Sequence, residues 1–251
     1  MQNPTPCTLA VTMSTKNRRR PLYLEPLHIS GKSEKALILT PFGGGGAEAF
    51  SRFTGEFRKL HDDVSIYFIR FLHSDDDCEK AAAEIKYTLS GCQVSFCSHC
   101  AGAAVAMKII EKLEKDNFRV MHYYAAAIIP PAHREKKNSW RYIPDFILRR
   151  VLDNSGAKLK SVSKETQKRI LARFRKDTDY STAVFREFTE KIKAPVTVII
   201  SKDDFFTKNY SDAHSCWDRY CENVQAVRFI DSQSHYFQSD NASQFVKMIK
   251  I

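Results

Sequence analysis

No apolar run in this 251-residue chain approaches the roughly 18 residues needed to cross a bilayer, which excludes a membrane-spanning helix. Acidic residues are missing from residues 1–24, where the apolar patch Cys7–Met13 precedes Arg18, Arg19 and Arg20. A secretory signal places its charges before its apolar stretch, so that class is excluded; residues 1–30 read as a leader, and the expected location is cytoplasmic. Internal repeats are absent, as are low-complexity tracts beyond Gly43–Gly46. The seven cysteines are odd in number and irregularly spaced, unlike a disulfide framework. Cys97 and Cys100 form a C-x-x-C pair without a second metal-spaced pair, so a structural zinc site is not expected. A thioredoxin-like redox pair opens a helix early in a smaller fold, whereas this one sits mid-chain. Neither G-K-[ST] nor a G-x-G-x-x-G helix context accompanies the glycines, which argues against a nucleotide cofactor. No cofactor or metal is expected.

What is present suits one α/β domain with a sizeable core: 43% of the residues are hydrophobic. The net charge of +10 would ordinarily suggest nucleic acid. Its distribution argues otherwise. Between Ala132 and Arg175 stand 13 Lys and Arg against 4 Asp and Glu, a net +9, while the rest of the chain is nearly neutral. A single basic module fits one acidic partner or anionic ligand, or a solvated helical face.

Short apolar runs bounded by turn residues predict buried strands at Ala36–Thr40, Val64–Phe71, Gln93–Cys97, Arg119–Ile129, Pro195–Ile200 and Ala226–Ile230, with an edge strand at Leu22–Leu27. Helical spacing marks Glu79–Leu89, the stretch from Ala101 to Leu113, Ser211–Tyr220 and the C-terminus. Alternating strands and helices imply a mainly parallel sheet with helices on both faces. From Ala132 to about Lys193 the alternation stops. Amphipathic stretches at Phe146–Leu152 and Lys164–Phe174 predict a helical lid inserted between two core strands, over about residues 132–193 of a domain spanning 31–251.

Gln93–Gly102 (QVSFCSHCAG) reads as strand, sharp turn, helix, the pattern of a nucleophile elbow. The positions two before and two after the nucleophile must be small, because strand and helix almost touch there. Cys97 as nucleophile would put His99 in the crowded position, and Ser98 would put Phe96 and Cys100 there. Cys100 leaves Ser98 and Gly102. Only Cys100 fits, at a helix N-terminus that favours a thiolate. Acid and histidine must follow in that order. Asp204 lies just past the strand ending at Ile200, with Asp203 as the fallback acid, and His235 lies just past the strand ending at Ile230. His99 is expected to pack or line. The Ala101 N–H supplies one oxyanion donor, and the glycine run after Thr40 supplies the other.

Together these residues resemble the thioesterases of nonribosomal peptide and polyketide assembly lines, especially the stand-alone type II editing enzymes, over roughly residues 36–249. Pro41 to Phe50 (PFGGGGAEAF) is similar to that family's P-[YF]-A-G-G-S-x-x-x-F, and Ser98-His99-Cys100-Ala101-Gly102 stands where G-H-S-M-G is expected. Arg175-Lys176-Asp177 through Tyr180 resembles its R-x-D…Y segment, and Trp217 with Ser234-His235-Tyr236-Phe237 its W…G-H-F-F block. The resemblance implies an α/β-hydrolase fold, a triad of Cys100, Asp204 and His235, Gly43 and Ala101 as the oxyanion hole, and acyl groups carried on the phosphopantetheine arm of a carrier protein. That partner would be acidic, to match the lid. The departures are a serine for the first elbow glycine, sulfur for the nucleophilic oxygen, loss of the P-G-R that follows the family's second strand, and the basic lid. They leave three expectations: thioester hydrolysis, acyl transfer or cyclisation onto an amine or alcohol, and a non-catalytic carrier-binding protein.

Overall fold

The computed structural model describes residues 23–31, 34–130, 140–207 and 210–251. Residues 1–22 of the expected leader and 132–139 of the expected lid lie outside the described residues.

Runs such as KALILT and VTVIIS can bury both faces of a strand, and they form the middle of a seven-stranded sheet. The strands are β1 (Leu24–His28), β2 (Lys35–Thr40), β3 (Val64–Ile69), β4 (Gln93–His99), β5 (Val120–Ala126), β6 (Val196–Ser201) and β7 (Val224–Ile230), in spatial order β1-β3-β2-β4-β5-β6-β7. Only β1 is antiparallel to its neighbour. Side chains alternate between the two faces. Leu37, Leu39, Phe68 and Cys97 pack on one side with Phe53 and Phe57 of α1 (Ser51–Leu60) and Phe245 of α8 (Ala242–Val246). Ala36, Ile38, Phe96 and Tyr123 pack on the other with α2 (Asp75–Thr88), α3 (Gly102–Lys115) and α6 (Ala213–Asp218). This is the doubly covered, mainly parallel sheet of the α/β-hydrolase fold.

Four details differ from the sequence-based expectation. The boundary at residue 31 moves: β1 pairs with β3, Tyr23 and Leu24 are buried, and the Tyr23 hydroxyl donates to Asp77 at 2.8 Å, so residues 23–30 belong to the domain. No element was expected between Phe50 and Val64, yet α1 lies there, its Phe53 and Phe57 one helical turn apart and fully buried. The C-terminal helix is two short ones, α7 (Phe237–Asp240) and α8, separated by Asn241. In α2 the start moves back to Asp75, because Ser74 accepts the Asp77 N–H and three aspartates complement the helix dipole.

Between β5 and β6 run α4 (Asp145–Asn154) and the 24-residue α5 (Lys164–Glu187), with no strand among the described residues. They share a small core of Leu148, Leu152, Leu159, Leu171 and Phe174. Arg175 fastens it: its guanidinium donates to the Ile143 carbonyl and pairs with Asp145, both at 2.7 Å.

Candidate active site

The register of β2 against β4 pairs Thr40 with Ser98, so the glycine loop and the elbow leave the sheet at one level. Cys100 stands between β4 and α3 with φ 52°, the left-handed backbone an elbow demands of its central residue. A Cβ at Gly102 would stand 2.1 Å from the Pro41 carbonyl oxygen, so only glycine fits there. Ser98 is tolerated where the family has glycine because its hydroxyl shares a buried 2.7 Å hydrogen bond with the Tyr123 hydroxyl. Cys97, by contrast, points into the α1/α8 core, where burial pushes its thiol far up. The two sulfurs of the C-x-x-C pair serve opposite faces of the sheet, and both are free thiols.

His235 is 2% exposed and lies within hydrogen-bonding reach of Cys100. Its Nδ1 donates to Asp204 Oδ2 at 2.7 Å. Asp204 is fully buried and also accepts the Phe206 N–H at 2.9 Å and the Thr207 hydroxyl at 3.0 Å. The fallback Asp203 is exposed. Burial pulls the His235 imidazole down, but its interactions with Cys100 and the Asp204 carboxylate outweigh it and push the ring up to about 10. Burial likewise raises Asp204, and its bond from His235 more than reverses that. The two loops are joined where Ser201 donates to the Ser232 carbonyl, and the Asp204 loop is closed on itself where Thr207 donates to the Ser201 carbonyl.

His99 is fully buried with no well-formed hydrogen bond to either ring nitrogen, packed among the rings of Phe42, Tyr236, Phe237 and His235. Burial and the His235 charge 5.2 Å away hold it neutral, well below its ordinary range. It packs under the site, as expected. Ala101 immediately precedes α3, whose first N–H groups have no acceptor within the helix. The glycine loop faces it as a tight turn closed by Gly45 N–H to the Phe42 carbonyl at 2.9 Å. All five sequence-selected residues therefore gather at the C-terminal edge of the sheet.

A family profile described as "Thioesterase domain" matches residues 35–251. The chain belongs to the thioesterase domain family. No curated protein matches the sequence. Among solved structures this thioesterase-domain chain is similar to YbtT, a type II thioesterase from the yersiniabactin NRPS/PKS biosynthetic pathway, with TM-score 0.73 and 18% identity over 90% of this chain and 96% of that one. It is similar to RedJ, a thioesterase from the prodiginine biosynthetic pathway in Streptomyces coelicolor, with TM-score 0.73 and 15% identity over 95% and 98%. The SrfTE thioesterase domain, which cyclises the lipopeptide antibiotic surfactin, aligns with TM-score 0.65 and 13% identity over 89% and 93%.

In this thioesterase domain the lid touches the loop that carries His235 directly. The His235 N–H donates to the Ser155 carbonyl at 2.9 Å, a lid contact that nothing in the sequence marked. A cavity of about 250 Å³ opens beside the glycine loop, walled by Phe42, Leu152, Leu159, Ile170 and Tyr236. Among the described residues no group of three or more His, Cys, Asp and Glu is placed to hold a metal, and no helix is long and apolar enough to cross a membrane.

Proposed function

We propose that this thioesterase-domain protein hydrolyses acyl groups presented as pantetheine thioesters on an acidic carrier protein of a nonribosomal peptide or polyketide pathway, through an acyl-Cys100 intermediate. The observation that carries this reading is the elbow cysteine within reach of a buried histidine that is itself bonded to a buried carboxylate. Cys100 Sγ attacks the thioester carbon, the bond to pantetheine sulfur breaks, and protonated His235 delivers its proton to that leaving thiolate. Neutral His235 then takes a proton from the water that attacks acyl-Cys100, and the Cys100 sulfur departs with the acid released. Asp204 orients the imidazole and balances its charge without itself being protonated. The N–H groups of Ala101 and Gly43 hold the oxyanion in both steps. The pathway assignment draws support from the likeness to YbtT of an NRPS/PKS pathway, the carrier from the basic lid, and a cytoplasmic setting from free thiols at all six described cysteines. Intact-mass analysis after mixing with acyl-pantetheine thioesters tests it: wild type gains one acyl group and Cys100→Ala none, and acylation of both alike overturns the assignment.

Sulfur at position 100 favours a second reading. Thiol attack on a thioester is nearly thermoneutral, so acyl-Cys100 keeps its activation and can pass the acyl group to an amine or alcohol, where an acyl-serine would have lost it. Single-turnover mass spectrometry with and without acceptors separates the two. Rapid hydrolysis without acceptor-dependent product eliminates transfer. A non-catalytic carrier-binding protein has no need of the Cys100, His235 and Asp204 arrangement, and an acyl probe that labels Cys100 no faster than the other cysteines would favour it.

A further inference from the structure

The glycine loop belongs to no helix or strand, yet an oxyanion hole works only if its donors are held in place before the charge develops. The turn from Phe42 to Gly45 has φ +79° at Gly44, the type II pattern, and consecutive glycines permit other turns at similar cost. What holds this one is the lid helix. Asp177 on α5 is 2% exposed and uses both carboxylate oxygens: Oδ2 accepts the Gly44 N–H at 2.8 Å, and Oδ1 accepts from His73 Nε2 at 2.7 Å. The same helix presses on the loop, since a Cβ at Gly44 would stand 3.2 Å from the Ile170 carbonyl oxygen. His73 is braced between the rings of Phe71 and Tyr180, at 5.2 and 5.7 Å.

A carboxylate at this depth is costly unless its oxygens are bonded, and an apolar side chain would pack α5 on the loop without that cost. What a carboxylate adds is direction. Accepting the Gly44 N–H fixes the central peptide of the turn, while the turn-closing bond to the Phe42 carbonyl fixes the peptide that carries the Gly43 N–H. Both planes beside Gly43 are then set. We propose that Asp177, itself oriented by His73, is the positioning residue that shapes the glycine loop into an oxyanion hole, making seating of the lid helix and assembly of the hole one event. This rests on the acyl-Cys100 reading above.

Three reactions of Cys100 separate positioning from folding. Iodoacetamide alkylates the thiol without forming an oxyanion. A fatty aldehyde adds reversibly to it, and the resulting thiohemiacetal oxygen occupies the hole. An acyl-pantetheine thioester acylates it. Loss of an oxyanion donor typically costs about 10²–10³-fold, and a misplaced donor less, so Asp177→Ala should lower the acylation rate and the aldehyde affinity by about 10–100-fold. It should move KM less than about 3-fold and leave alkylation at the wild-type rate. Asp177→Asn, whose amide oxygen still accepts the Gly44 N–H and whose NH₂ can donate to the His73 ring nitrogen, should recover most of the loss. Wild-type acylation by Asp177→Ala overturns the proposal, and so does an equal loss of alkylation and acylation, which would make Asp177 a folding residue. Wild type that alkylates at Cys100 but takes no acyl group from the thioester overturns the thioesterase reading first, and this proposal with it.

Discussion

At the scale of single residues, Cys100 is held at φ 52°, a conformation costing on the order of 1–3 kcal/mol for a residue with a side chain. Such strain persists where the surrounding structure enforces it, and it projects the sulfur toward His235. Cys100→Ala should therefore leave the melting temperature near wild type while abolishing acylation, and Cys100→Ser should keep the fold but lose much of the rate; full turnover by Cys100→Ala, read by thioester cleavage, contradicts the assignment. His235→Ala should suppress acylation strongly and Asp204→Asn less, whereas exposed Asp203→Asn should change little. The pH dependence follows from the direction of the shift. Because His235 stays protonated up to about 10, the acid that serves the leaving thiol persists through neutrality, and kcat/KM should fall only as pH rises through about 10. A fall centred near the unperturbed histidine value of about 6.5 would mean that Cys100 and Asp204 do not hold that proton.

Elements matter here through how closely they approach. The Cβ of Gly102→Ala would meet backbone at Pro41, which cannot swing aside as a side chain can. We expect destabilisation of at least about 1–3 kcal/mol, each kcal/mol lowering the melting temperature by about 2–4 °C, together with slower acylation as β2's loop is pushed from α3. Ser98→Gly restores the family's residue but strands the buried Tyr123 hydroxyl, at a cost of about 1–3 kcal/mol. Tyr123→Phe should recover part of that loss, and a double-mutant cycle by thermal denaturation measures it; strictly additive effects would deny the pair its role. The helix α1 was legible in principle, since Phe53 and Phe57 stand one turn apart. The break at Asn241 was not, because nothing in the local spacing distinguishes one helix from two.

For the whole molecule, the charge of the lid divides into two uses. Arg175 is spent on internal carbonyls, and Lys158 pairs with Asp240 at 2.8 Å. Lys160, Lys164, Lys168, Arg169, Arg173 and Lys176 are exposed. If these attract an acidic carrier, screening over a Debye length of about 8 Å at physiological salt should weaken the encounter. Raising salt should increase KM for acyl-carrier while hardly affecting a small acyl-pantetheine thioester. Equal effects on both substrates would remove the lid charge from recognition.

Local patterns in the chain determined the sheet and the elbow. Short apolar runs bounded by turn residues mark the buried strands, and the steric rule around a strand-turn-helix leaves Cys100 as the single candidate nucleophile flanked by small neighbours at both crowded positions. The order of acid and histidine after successive strands was equally local. Tertiary structure decided between Asp203 and Asp204, since only burial and a 2.7 Å approach to His235 tell two adjacent carboxylates apart. It also gave Ser98 its partner in Tyr123 and closed the contact between Gly44 and Asp177 across 133 residues. Periodicity and sterics report on neighbours a few residues away. Hydrogen bonds between loops and a lid depend on where the packing of separate layers places their ends, and no local spacing encodes that.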